Sequence, residues 1–424
     1  MSIPLINEVA KLKANSAGSS GGGGSQYFGD GITFIDKKHY KLSNLNTSYP
    51  HGAQSESYQR SFSHGNGQFS SAAIPFYDNG LTTTQFYVQP FTVNQTTGAI
   101  TGGTGAVIWT NGSGNCQSTM NWGSAGPYAF NWGQHCAPGY SSNTGIATAW
   151  TVSGNVASGT YYTDGNSSWP GNGNRDSAVT ISGGTYYWAP SANQSGVPRN
   201  LVFSYNGSSL TRTRNNDLSS YDTSTNYVAP VVRQFGNQAA TLGTIHVYRQ
   251  SNSRQFFNIL GPTMDIQSTV AVSPTLGIPM SGSMPGDMIG LELSNGTQLF
   301  YSKNWGIVRR SGTSLTNVSS SADFIPNMKA AERHYTAVAQ DTWVCLSESS
   351  PRELVKFSIN PTTYKVTILG SIPLSLLTKS EAFTSQAVDY GGVFLTGTTN
   401  QFVVVCGQVS NNGNLVVMVG QHGL

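Results

Sequence analysis

One small figure recurs along the chain and constrains its fold more than any other feature. It is a short apolar or aromatic run, a tight polar turn, and a second short run rich in Thr, Val and Leu. The turns are Val93-Asn94-Gln95-Thr96-Thr97-Gly98, Val152-Ser153-Gly154-Asn155, Tyr205-Asn206-Gly207-Ser208, Leu260-Gly261-Pro262-Thr263, Arg310-Ser311-Gly312-Thr313, Asn360-Pro361-Thr362-Thr363 and Asn411-Asn412-Gly413-Asn414. Marked at residues 94, 154, 206, 261, 312, 360 and 411, they are separated by 60, 52, 55, 51, 48 and 51 residues. Small sheets repeated at such a period are marginal alone and must stack on one another to bury their faces. Radial stacking into a closed ring achieves this with short edges, and about 50 residues is the length of a propeller blade. The repeat therefore predicts an all-β, seven-bladed β-propeller. A pair of irregular β-sandwiches with coincidental spacing is the other architecture that fits, since regular strand spacing marks sandwiches too.

The sharpest unit is Arg199-Asn-Leu-Val-Phe-Ser-Tyr205, then Asn206-Gly207, then Ser209-Leu-Thr-Arg-Thr213. Asn-Gly between two such runs is a strong hairpin signal. Val355-Lys-Phe-Ser-Ile359 against Lys365-Val-Thr-Ile-Leu369, and Phe402 to Val409 against Leu415 to Val419, read the same way. Because the chain stops soon after Val419, the last blade needs a strand from elsewhere. Gly31-Ile-Thr-Phe-Ile35 and His39-Tyr-Lys-Leu42 are expected to complete it by pairing with the strands near 402 to 419.

Gly supplies 49 of 424 residues and charged residues only 10%, which leaves little material for long helices with Glu and Lys faces. The surface must be built from hydroxyls and amides, rich in neutral hydrogen-bonding groups and weak in long-range fields. At a net charge of +3, with Lys37-Lys38 and Arg309-Arg310 the paired cations, no basic stripe suggests nucleic acid. No stretch reaches the roughly 18 apolar residues of a membrane span.

Three segments are expected: an anchor peptide at 1–14, a flexible Gly/Ser linker at 15–25 and the propeller at 26–424. Leu5, Ile6, Val9 and Leu12 fall at helical spacing behind Ser2 and Pro4. A lone helix of that length is marginal in water, so its apolar stripe is read either as an anchor that docks on another subunit or as a frayed terminus. Lys11 and Lys13 follow the apolar residues instead of preceding them, which does not suit an export signal.

Cys116 and Cys136 could pair or stay free, while Cys345 and Cys406 read as buried strand thiols. No catalytic constellation emerges. The seven His residues are scattered, and the one Gly-x-Ser-x-Gly match, Gly18 to Gly22, lies in the linker without the strand and helix that a nucleophile elbow needs. No cofactor and no metal is expected. The oxygen-rich stretch Asp164 to Asp176, whose Asp164, Asn166 and Asp176 would suit a hard cation, lacks EF-hand spacing and reads first as a set of turns.

Six of the eight Trp residues fall between 109 and 188. Trp109, Trp122, Trp132 and Trp169, set among amides and hydroxyls, are candidate stacking planes for sugar rings; the competing reading packs them between blades. Trp122, Trp132 and Trp169 look loop-borne, whereas Trp150 and Trp188 read as strand core.

The Gly/Ser/Thr/Asn-rich β-texture, the peptide Ser2 to Lys13, the linker Asn15 to Ser25 and the seven turns together resemble virion proteins of tailed bacteriophages. The resemblance implies a tail, fibre or capsid-decorating component, made in the host cytoplasm and present in many copies in the particle. It would attach to other virion proteins through its N-terminus and expose its body, with a host cell-surface glycan as a possible ligand and without membrane insertion. Heptads beyond the first dozen residues are missing, which argues against a long shaft. The other function class is a carbohydrate-active enzyme or free lectin on a propeller.

Overall fold

The structure is a computed structural model that describes residues 33–41, 59–73, 84–111, 121–135, 144–164, 168–170, 175–176, 179–194, 197–217, 231–233, 245–250, 254–271, 288–302, 306–323, 335–346, 353–373, 392–396, 401–407 and 414–421. The anchor residues Leu5, Ile6, Val9 and Leu12, the linker, Cys116, Cys136 and Asn166 lie outside them. Among the described residues every regular element is a β-strand, and these strands form seven sheets.

In chain order, sheet 1 runs from Gln59–Gly65 through Gln68–Ala73 and Thr84–Val93 to an outer strand split into Ile100–Gly102 and Ala106–Asn111. Sheet 2 is Asn121–Ala125, Tyr128–His135, Thr144–Ser153 and Val156–Asp164. Sheet 3 is built on Val179–Ser182, Thr185–Trp188, Val197–Tyr205 and Leu210–Asp217, with Ser191–Gln194 and Ser168–Pro170 added alongside. Sheets 4, 5 and 6 are four-stranded and antiparallel, beginning at Val231–Arg233, Met288–Glu292 and Tyr335–Ala339. Sheet 7 is Gly392–Leu395, Gln401–Gly407 and Asn414–Gln421, closed on the outside by Thr33–Lys41.

That closure matches the expectation for the start of the chain, with one continuous strand in place of two segments. Thr33 pairs with Gln421 and Lys41 with Asn414, across a single register shift between Phe34 and Asp36. The side chain of Asp36 then reaches sheet 1, where Oδ2 accepts the Ile100 N–H at 2.8 Å.

The recurring turns have a common place. The first six each join the third strand of a sheet to its outermost strand. Asn94, Asn206 and Asn360 each accept two backbone N–H bonds from the residues two and three positions on, at 2.8 to 3.1 Å, which closes the turn locally. The seventh marker, Asn411, lies outside the described residues, between the second and third strands of sheet 7 in sequence and so out of phase with the other six. The sheet whose outer strand comes from the N-terminus has no third-to-fourth turn to offer.

The sheets pack face to face in sequence. Phe69, Phe91 and Val93 of sheet 1 meet Val403, Val405 and Val417 of sheet 7, and Phe62 and Phe86 meet Trp122 and Trp150 of sheet 2. Phe130 and Trp132 of sheet 2 meet Trp188 and Phe203 of sheet 3, Val202 meets Leu260 and Met264 of sheet 4, and Leu299 and Ile307 of sheet 5 meet Trp343 and Phe357 of sheet 6. Sheets 4 and 5 touch through their first strands, as do sheets 6 and 7. The chain is an all-β protein with a β-propeller arrangement.

Polar bonds staple neighbours on the face that carries the tight turns. Gln95 Nε2 donates to the Thr396 carbonyl of sheet 7 at 2.6 Å, Thr92 Oγ1 to Asn155 Oδ1 of sheet 2 at 3.0 Å, and Thr180 Oγ1 to the Pro262 carbonyl of sheet 4 at 2.6 Å. Between sheets 5 and 6, Asp341 accepts the backbone N–H and the hydroxyl of Ser294, and Asn295 Nδ2 donates to the Pro361 carbonyl at 2.9 Å. Lys365 pairs with Asp323 at 2.8 Å and holds that carboxyl below its ordinary range. Tyr128 stands edge-on to Tyr186 and Tyr205 of sheet 3, each with ring centroids 4.9 Å away.

Candidate functional site

In a ring of sheets the first strands border the axis, where side chains from many sheets converge. Here the first strand of sheet 1 adjoins those of sheets 2 and 7, and in sheet 6 Tyr335 donates its hydroxyl to the Gly290 carbonyl of the first strand of sheet 5 at 2.7 Å. One addition breaks the regular plan. Arg175–Asp176, from the connection between sheets 2 and 3, pairs in parallel with Asn121 and Trp122 on the axial edge of sheet 2. It also lies against Val231–Arg233 of sheet 4. The axial strands therefore carry Arg60, Arg175, Asp176, Arg233 and Glu292. Arg60 is 1% exposed. The Glu292 carboxyl is pushed above its ordinary range by desolvation, against a hydrogen bond from Gln298.

The strand pairing separates two carboxylates that the sequence placed in one oxygen-rich stretch. Asp164 ends the outermost strand of sheet 2, and Asp176 lies on its axial edge. Four strand-to-strand steps of about 4.8 Å, roughly 19 Å in all, keep them from sharing a cation. Among the described residues no group of three or more His, Cys, Asp or Glu is placed to hold a metal.

The Trp candidates are placed otherwise than a sugar face requires. Trp122 and Trp132 are 0% exposed and Trp109 is 7% exposed. Trp122 and Trp132 sit on strands, not loops. The ring of Trp122 lies 5.8 Å from Phe62 and 6.4 Å from Trp150, and that of Trp132 lies 5.4 Å from Phe203. Rings this buried offer no stacking plane to solvent, so these three are packing residues, as are Trp150 and Trp188. Trp169 lies in Ser168–Pro170, paired with Ser191–Gln194. Cys345 is a buried free thiol whose pKa burial pushes up, as expected of a strand thiol.

A polar network at the interface of sheets 1 and 2 escaped sequence reasoning. His64 bonds to the Pro127 carbonyl through Nδ1 at 2.8 Å and to Ser70 Oγ through Nε2 at 2.7 Å. A carbonyl can only accept, so Nδ1 carries the proton, and neutral Nε2 accepts the Ser70 hydroxyl. Trp150 Nε1 donates to the same oxygen at 3.1 Å. Burial holds the His64 pKa at about 4, and the Pro127 bond opposes that shift. Hydroxyl on imidazole is the contact of an activated nucleophile. Ser70, however, is 0% exposed, with no path for a substrate, and the network acts as a clasp between sheets. The signal available in the sequence was Asn66-Gly67, a hairpin turn that sets His64 near Ser70.

No family model matches the chain, and no curated protein matches it. Similar solved structures include a putative 6-phosphogluconolactonase from Bacteroides fragilis, at 11% identity and a TM-score of 0.46, covering 82% of this chain and 91% of that one. Trypanosoma rangeli sialidase is similar at 9% identity and a TM-score of 0.39, over 92% of this chain and 60% of its own. A GH32 β-fructofuranosidase from Bombyx mori matches over 98% and 96% of the two chains, at 11% identity and a TM-score of 0.32.

Proposed function

We propose that the chain is a tethered seven-bladed propeller, one blade to each sheet, that serves as a structural or adhesion component of a tailed-phage particle. The observation that carries this reading is the position of Thr33–Lys41. As the outermost strand of sheet 7, it puts Thr33, the first described residue, on the outer edge of that sheet. A peptide with Leu5, Ile6, Val9 and Leu12 on one stripe, followed by a Gly/Ser linker, then suits attachment to another subunit while the body stays exposed. Deleting residues 1–25 is expected to abolish incorporation into the particle and leave the melting transition unchanged. Unaltered particle stoichiometry would overturn the anchoring role.

The second reading is a carbohydrate-active enzyme or free lectin, and the axial strand Arg175–Asp176 is the observation in its favour. It adds a cation and a carboxylate to the axial edge, where the central channel of a ring can receive a small ligand. The named solved structures include a sialidase and a β-fructofuranosidase, which directs the choice of substrates for assay. Sugar release from mixed polysaccharides, or glycan binding, that is lost in Arg175→Ala would support this reading. Glycan binding unaffected by that change would move the site off the axis.

A further inference from the structure

The outer strands of the sheets are the edges the ring leaves to solvent, and most of them are protected against pairing with another chain. Thr33–Lys41 carries Asp36, Lys37, Lys38 and Lys41 and a register shift. Leu210–Asp217 carries Arg212, Arg214 and Asp217 and lies across a shift. Ile266–Ala271 and Val366–Pro373 each lie across a shift, and the latter ends in Pro. Ser314–Asn317 has four residues, and the outer strand of sheet 1 is split. Lysines, prolines, bulges and short strands are the devices that keep sheet edges from pairing.

Val156–Asp164 has none of them. It pairs with Thr144–Ser153 over nine residues in unbroken register and carries neither Pro nor charge before its final Asp164. Val156 is 63% exposed and Tyr161 is 50% exposed. A bridge from Thr104 reaches Val156, and among the described residues no other hydrogen bond between sheets is made to this edge.

We propose that residues 157–163 form a self-association edge, which pairs antiparallel with the same residues of a second copy about a two-fold axis at Thr160. The strand is self-complementary in that register. Ala157 meets Thr163, Ser158 meets Tyr162 and Gly159 meets Tyr161, so no like charges oppose, while Asp164 and the bridged Val156 stay outside. A closed two-fold contact of this kind is isologous and ends at the dimer. The proposal is independent of the phage reading.

A charge exchange at the two-fold position tests it on the full chain. Sedimentation velocity over a micromolar concentration series is expected to show wild-type dimers. Thr160→Lys and Thr160→Glu, each opposite its own copy, are expected to weaken the dimer at least about tenfold, because directly opposed like charges destabilise a strand pair. An equimolar mixture of the two variants should restore dimers, which a folding defect would not allow. A monomeric wild type, variants that dimerise as it does, or a mixture that stays monomeric would each overturn the proposal.

Discussion

His64 donates its Nδ1 proton to the Pro127 carbonyl across 2.8 Å, binding the first hairpin of sheet 1 to the first turn of sheet 2. Full burial and the Ser70 hydroxyl on Nε2 favour the neutral ring, against the opposing pull of the Pro127 bond.

The clasp makes stability depend on pH. The ordinary His pKa is 6.5 and the folded one is about 4, so the unfolded chain binds the extra proton between those values. The contribution is fully present above pH 6.5 and is lost as pH falls toward 4, amounting to roughly 3 kcal/mol from the pKa difference. His64→Gln should lower the denaturation midpoint at neutral pH and flatten its fall over this window. Chemical denaturation at intervals between those pH values measures it, and parallel curves for the two proteins would refute it.

Trp122→Ala and Trp150→Ala should each destabilise by about 3 to 5 kcal/mol, the usual loss for a large aromatic from a closed core. Their rings share contacts with Phe62 and Phe86, so the double variant should lose less than the sum. Urea midpoints of the two single variants and the double variant supply the comparison.

Removal of residues 1–32 should leave the body's melting temperature within a few degrees of wild type. Extending the deletion to residue 41 removes the whole outer strand of sheet 7 and with it the Asp36 bond to Ile100. That longer deletion should lower the melting temperature sharply and expose the Asn414–Gln421 edge to proteolysis.

Asn66-Gly67 and Asp341 test the turn face. The Asn66 backbone has φ 51°, and a Cβ at Gly67 would run into the Val93 carbonyl. Gly67→Ala should therefore cost more than 1 kcal/mol, on the order of a strained backbone position, whereas Asn66→Gly should be neutral or slightly stabilising. Asp341→Ala forfeits both bonds from Ser294 at a position with φ 50°, and a loss of about 1 kcal/mol is expected.

The architecture was legible because its signals are local. An Asn that caps its own turn is written in four residues, as at Asn94, Asn206 and Asn360, and with three further turns in phase these specify the repeat. What failed to read was whatever depends on the neighbouring sheet. Trp122 and Trp132 stand beside Gly and Asn in sequence, which looks like loop, yet Phe62 and Phe203 from adjacent sheets cover them. The same blindness kept Arg175–Asp176 hidden, since two residues carry no periodicity and their pairing with Asn121–Trp122 bridges about fifty positions. His64, Ser70 and Trp150 are likewise joined only in space.

Thr33–Lys41 leaves the ribosome long before its partner Asn414–Gln421. Until residues 392–421 have been made, this strand has no ladder to join and the circle cannot shut. Pairings this distant in sequence are slow to form and leave unpaired edges exposed in the meantime. Four charges, at positions 36, 37, 38 and 41, lie on the strand that has to wait. Charges of this kind oppose edge-to-edge pairing with other chains while a strand is unpaired.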